Sequence, residues 1–281
     1  MIMANLLELR DRAVLRYGDS LVLRVPRRMV AIGGYDRALA LSAQAFVALV
    51  PVVVMVAALV PEHSAAGREL VSGLDPSGQA ESALAGLFEE PPGVEPLTVL
   101  SSILLVLAVL GFTRTLQRAY LAGWEVPPHG ARGLLHGLLA AVALVGEFAL
   151  LALLGPVFAG VLDGTVTGIV VRAVAAVLLW WPILYLLLGG TVGWRTLLPG
   201  AALTGGGQVA VILVSGYYLP GAVNREAARY GMAGVAVALL SWLLVLGLLL
   251  VVSAVASAEL VRPHSATRAE GTADDRPEPD A

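Results

Sequence analysis

Residues 230–258 read YGMAGVAVALLSWLLVLGLLLVVSAVASA, an unbroken run without an acidic or basic side chain. A helix rises about 1.5 Å per residue, so about 20 apolar residues cover the ~30 Å hydrocarbon layer of a bilayer. This run is long enough, and it lacks the charged face at helical spacing that a soluble bundle requires. It reads as a membrane-spanning helix.

Working outward, the same pattern recurs. Uncharged blocks fill 39–60, 97–112, 173–194 and 196–224, and 137–162 carries Glu147 as its single charge. The block at 97–112 is short, but its helix can extend to Gly123 with Arg114 and Arg118 reaching the interface. Of 281 residues, 58% are hydrophobic and 14% charged, against about 25% charged in soluble domains. The expected fold is all-α: a polytopic membrane protein with a six-transmembrane-helix bundle. Its spans fall at about 39–60, 97–120, 137–162, 168–190, 199–220 and 232–258.

Arginine placement sets the expected orientation. Of 18 basic residues, all Arg, seven precede the first span, three (Arg114, Arg118, Arg132) lie between the second and third, Arg195 lies between the fourth and fifth, and three follow the sixth. The other side has Arg68, Arg172, Arg225 and Arg229. Cytoplasmic loops retain positive charge, so both termini are expected in the cytoplasm. Residues 1–38 form a basic amphipathic segment suited to the anionic inner leaflet, and this polar stretch reads against a cleavable leader. The acidic outer loop 61–96 suggests two short helical pieces, and the acidic, Pro-containing tail 262–281 reads as disordered.

Few polar groups interrupt the spans. Gln44 and Pro51 sit in the first, where the proline should bend the helix. Glu147 lies about ten residues into the third, roughly 15 Å deep, where a carboxylate costs about 2.5–3.5 kcal/mol and marks a functional candidate. On the fifth span, Gln208 should reach comparable depth with Thr204 one turn before it, so a Glu147–Gln208 hydrogen bond is expected, with Arg172 the second choice of partner. A proton or polar-substrate path through Glu147, Gln208, Thr204 and Gln44 competes with a static polar link between helices.

Gly205, Gly206 and Gly207 lack the Gly-Lys-Ser/Thr ending of a phosphate loop. They read as close helix packing, in the pairs Ala201 with Gly205 and Ala202 with Gly206. Trp180-Trp181-Pro182 reads as a kink beside packing aromatics. Outside the fifth span, Asn224, Arg225 and Arg229 could meet anionic headgroups, or simply solvate a connecting turn. Glu259 should pair with Arg262, or with Arg114 and Arg118.

Enzymatic readings fare poorly. Without cysteine, thiolate sites and disulfides are excluded. His63, His129, His136 and His264 are scattered, so no metal site and no cofactor are expected. Nucleic-acid cleavage needs an exposed metal or acid–base constellation and a basic surface, and none is apparent.

The last third has a Pro-Gly-Ala entry (Pro199, Gly200, Ala201), a YGMAG turn (Tyr230 to Gly234), Trp242 and a closing Ala258-Glu259-Leu260. With the looser RALALSAQAFVALVP and TRTLQRAYLAGW segments, it resembles the YihY/BrkB-like family of bacterial inner-membrane proteins, some once labelled ribonuclease BN. The likeness spans about residues 30–262, departing at Ala43, Gln44, Ala48 and Leu121. It implies six helices, cytoplasmic termini, a plasma-membrane location and an envelope role.

The expected function is transport or flipping of a small polar or lipid-like substrate. A non-transporting envelope scaffold is the alternative and a ribonuclease the remote one. The expected partners are membrane lipids and envelope proteins, not nucleic acid.

Overall fold

A backbone in hydrocarbon must satisfy its N–H and C=O groups internally, which long apolar runs achieve as helices. In the computed structural model, residues 21–59, 94–128, 130–162 and 166–262 are described; residues 50–59, 94–101, 131–132, 148–149 and 151–162 are described by backbone course alone. The expected outer loop, the first 20 residues and the tail beyond Arg262 lie largely or wholly outside the described residues.

The elements are α1 (Leu21–Ala31), α2 (Gly34–Leu59), α3 (Val94–Trp124), α4 (Ala131–Leu162), α5 (Val166–Leu187), a 3-10 turn (Trp194–Leu197), α6 (Leu198–Tyr230) and α7 (Met232–Val261). Among the described residues, four helical stretches are able by length and composition to cross a membrane: Ser102–Trp124 of α3, α5, α6 with its leading turn, and α7. The expected first and third spans are continuous helix within α2 and α4, except that α2 ends at Leu59.

Burial is inverted relative to a soluble bundle. Leu107, Val142, Leu178 and Val237 each expose more than half their surface, while Ser42, Thr113, Thr204, Ser253 and Ser257 are buried. Several buried hydroxyls bond to their own helices: Ser42 Oγ to Ala38 O at 2.6 Å, Thr113 Oγ1 to Val109 O at 2.8 Å, Ser257 Oγ to Ala254 O at 2.9 Å. Lipid tails give no hydrophobic drive between helices, so contact comes from small residues at close approach. A Cβ on Gly247 would stand 2.5 Å from Ala38 O, and one on Gly123 3.1 Å from the Ala254 backbone. These approaches make α7 the hub, packed on α6, α2, α3 and α1. On the other flank, α5 packs on both α6 and α4.

One boundary differs from expectation. Helix α6 runs 33 residues, through Pro220 and the stretch read as a connecting turn, before Gly231 (φ 60°) reverses the chain into α7. At about 50 Å it exceeds the hydrocarbon thickness. The tight corner admits no side chain at Gly234, whose Cβ would collide with Glu226 O.

Helix α1 also differs from a helix merely resting on lipid. Val22 and Val30 face outward, while Arg24 and Arg28, one turn apart, face the bundle end. Arg24 Nη2 and Nε donate to Glu259 Oε2 at 2.6 and 2.8 Å, and Arg262 Nη1 donates to Glu259 Oε1 at 2.8 Å. Glu125 just beyond α3 bridges Arg262, at 2.5 Å, and Arg28. Glu259 thus pairs with Arg262 as expected and with Arg24, but not with Arg114 or Arg118.

Candidate functional site

Four helices bring polar side chains together inside the bundle. Thr204 and Gln208, one turn apart, share a face of α6. Thr204 Oγ1 donates to Gly200 O at 2.8 Å, so its single proton is committed, and Tyr120 of α3 donates to it at 2.8 Å. Trp180 of α5 donates its indole N–H to Gln208 Oε1 at 2.6 Å. Tyr120, Thr204 and Trp180 are all buried.

Glu147 completes the cluster from α4. It is 2% exposed and close enough to the Trp180 indole and the Tyr120 phenol to interact with both. Yet neither carboxylate oxygen has a hydrogen-bond partner among the described residues. The expected Glu147–Gln208 bond is therefore absent, and Arg172 does not replace it. The reason is the packing order: α5 lies between α4 and α6, and Gln208 turns its carbonyl to the Trp180 indole N–H rather than its amide N–H to Glu147. The Trp180 indole N–H adjoins the Glu147 carboxylate as well. At 2.6 Å the amide holds that proton.

The chain matches the family described as Virulence factor BrkB over residues 25–278, nearly its whole length. It belongs to the BrkB family. No curated protein and no solved structure matches it. With its apolar helices, this makes the BrkB-family chain a multi-pass integral membrane protein.

The other sequence candidates separate. Gln44 lies on the α2–α3 seam over Gly111, away from the Glu147 cluster, in a pocket of about 470 Å³. Pro51 falls within α2, where the description is of backbone only. The glycine run divides by helical face. A Cβ on Gly205 would stand 2.7 Å from the Ala176 and Val177 backbone of α5, and one on Gly207 2.5 Å from a Leu249 methyl, whereas Gly206 faces open space. Of the two expected pairs, Ala201 with Gly205 is buried and Ala202 with Gly206 is not. Asn224, Arg225 and Arg229 sit on the helical extension of α6, with both arginines exposed and Arg229 Nη1 3.8 Å from Glu226.

Trp180 and Tyr120 are the cluster residues that sequence reasoning missed, and Trp180 is the more telling. The signal was available: an indole N–H placed well inside an apolar span needs an acceptor, and few acceptors exist at that depth.

Proposed function

We propose that this BrkB-family protein spans the plasma membrane six times with both termini cytoplasmic, and moves a small polar or lipid-like substrate across it without catalysing a covalent reaction. Glu147 is the group through which a proton or the substrate's polar part passes, with Tyr120, Thr204, Trp180 and Gln208 as its polar surroundings. The observation that carries this reading is the absence, among the described residues, of a hydrogen-bond partner for a carboxylate 2% exposed. A polar link between helices gains its stability from hydrogen bonds. Among the described residues Glu147 accepts no hydrogen bond of good geometry, which speaks against holding α4 to α6 as its role and for transport. Membrane lipids are its expected partners; nucleic acid, cofactor and metal have no part in this reading.

One observation favours a scaffold instead. The carboxylate is sealed, and the α2–α3 pocket does not reach it. Transport then requires α4 or α5 to shift during the cycle. Purified protein in liposomes, assayed for proton-coupled or lipid flux, should lose that flux on Glu147→Gln. Flux that survives the substitution removes Glu147 from the path, and no flux in the unsubstituted protein favours the scaffold.

A further inference from the structure

A second polar site lies apart from the Glu147 cluster, at the arginine-rich end. The α2–α3 pocket of about 470 Å³ is walled on α2 by Asp36, Ala40 and Gln44, which fall four residues apart on one face, and on α3 by Thr115 and Arg118. Arg37 closes its upper edge and is held there: Nε donates to Ile32 O at 2.8 Å and Nη1 to Arg118 O at 3.3 Å. The Arg118 guanidinium, by contrast, has no hydrogen bond or ion pair among the described residues and is exposed to the pocket mouth. Two guanidiniums and one carboxylate leave the lining with one net positive charge.

Deeper in, about 15 Å along α2 from Gly34, Gln44 Oε1 is buried without a donor among the described residues. Its amide packs over Gly111, at 3.9 Å from where a Cβ would stand. A buried acceptor left unpaired is costly, and a ligand donor that reaches it would recover that cost. The pocket therefore offers cationic donors at its mouth and a neutral acceptor one step inward.

We infer that the α2–α3 pocket binds a phosphate ester that also carries a hydroxyl or ammonium group, its phosphate on Arg118 and Arg37 and its donor on Gln44. Guanidinium is suited to phosphate through paired, charge-assisted bonds. Asp36 at the mouth repels a second anionic charge and so favours a diester over a monoester. Either a phospholipid headgroup entering the groove or a free phosphate ester satisfies this chemistry. The site deepens the transport reading by naming a substrate class, but binding is measured without flux: a protein that binds and does not transport would leave this site standing and remove the other claim.

The test uses the full chain in detergent, with phosphatidylglycerol, phosphatidylethanolamine and phosphatidylcholine bound in turn and read by native mass spectrometry, and the soluble diester glycerophosphoethanolamine as competitor. Phosphatidylglycerol and phosphatidylethanolamine should bind more tightly than phosphatidylcholine, which has no headgroup donor. Arg118→Gln should weaken both by about tenfold, the loss of one charge-assisted bond. Gln44→Leu should bring them to the phosphatidylcholine level. Competition by glycerophosphoethanolamine identifies the free ester as ligand, and its failure identifies the lipid. Unchanged binding in Arg118→Gln overturns the site, as does an equal loss in Arg114→Gln, an exposed arginine of the same helix outside the pocket. Equal binding of all three lipids by the unsubstituted protein overturns the role of Gln44.

Discussion

Glu259 and Glu147 are both carboxylates withdrawn from the surface, at 5% and 2% exposure, and the protein treats them in opposite ways. Glu259 at the end of α7 accepts from Arg24 and Arg262, and Arg262 passes the network on to Glu125 and Arg28. Glu147 in α4 accepts from nothing among the described residues, although Trp180 and Tyr120 adjoin it. Arginine is abundant at one end of the bundle and reaches across it on a long stem, so an acid there finds partners. At Glu147 the neighbouring donors are already spent on Gln208 and Thr204. A buried charge with partners fixes the position of helices, whereas one without them is a cost that only function explains.

If that contrast is right, removing the two acids has effects of opposite sign. The larger belongs to Glu259→Ala, which takes the carboxylate from Arg24, leaves Arg262 with Glu125 alone and loosens α1 from α7; unfolding in detergent should cost about 3 kcal/mol less than in the unsubstituted protein. A loss under about 1 kcal/mol would make the network a surface feature. Glu147→Leu should instead stabilise by about 2 kcal/mol, because an apolar side chain of similar volume replaces an unpaired carboxylate. Its unfolding midpoint should rise while flux in liposomes falls, the trade of stability for activity seen at functional sites. A lower midpoint would mean that the carboxylate holds the bundle together, and the contrast would break.

How far these two environments could be read from the sequence follows from what each depends on. The helices were legible because hydrocarbon imposes a length and an apolar composition on any span, and Glu147 stood out against that composition. The Glu259–Arg262 pair was legible because three residues along a helix put both side chains on one face. The Arg24–Glu259 bond was not, since it joins residues 235 apart and depends on α1 folding back under α7. The Trp180–Gln208 bond failed for the same reason. Depth along α4 and α6 placed Glu147 and Gln208 on one level, but depth says nothing about which helix stands between them. Likewise, Asn224, Arg225 and Arg229 looked like a turn because they are polar and follow Pro220, yet polarity does not end a helix and α6 continues through them to Tyr230.

The smallest effect sharpens the comparison most, because it varies exposure while keeping the same partners. Glu125 bridges Arg28 and Arg262 as Glu259 bridges Arg24 and Arg262, but its side chain is 52% exposed. Exposed ion pairs contribute about 0–1 kcal/mol, and charges in water are screened within about 3 Å at 1 M salt. Glu125→Gln keeps the left-handed backbone (φ 55°) available to a side chain of equal size and removes only the charge. Its unfolding midpoint should lie just below that of the unsubstituted protein in dilute buffer and merge with it in 1 M sodium chloride. The deficit of Glu259→Ala should persist in the same salt, since that pair is shielded from solvent by α1 and α7. Were both deficits to vanish together, burial would have no part in setting the strength of the network, and the isolation of Glu147 would lose its meaning as a cost.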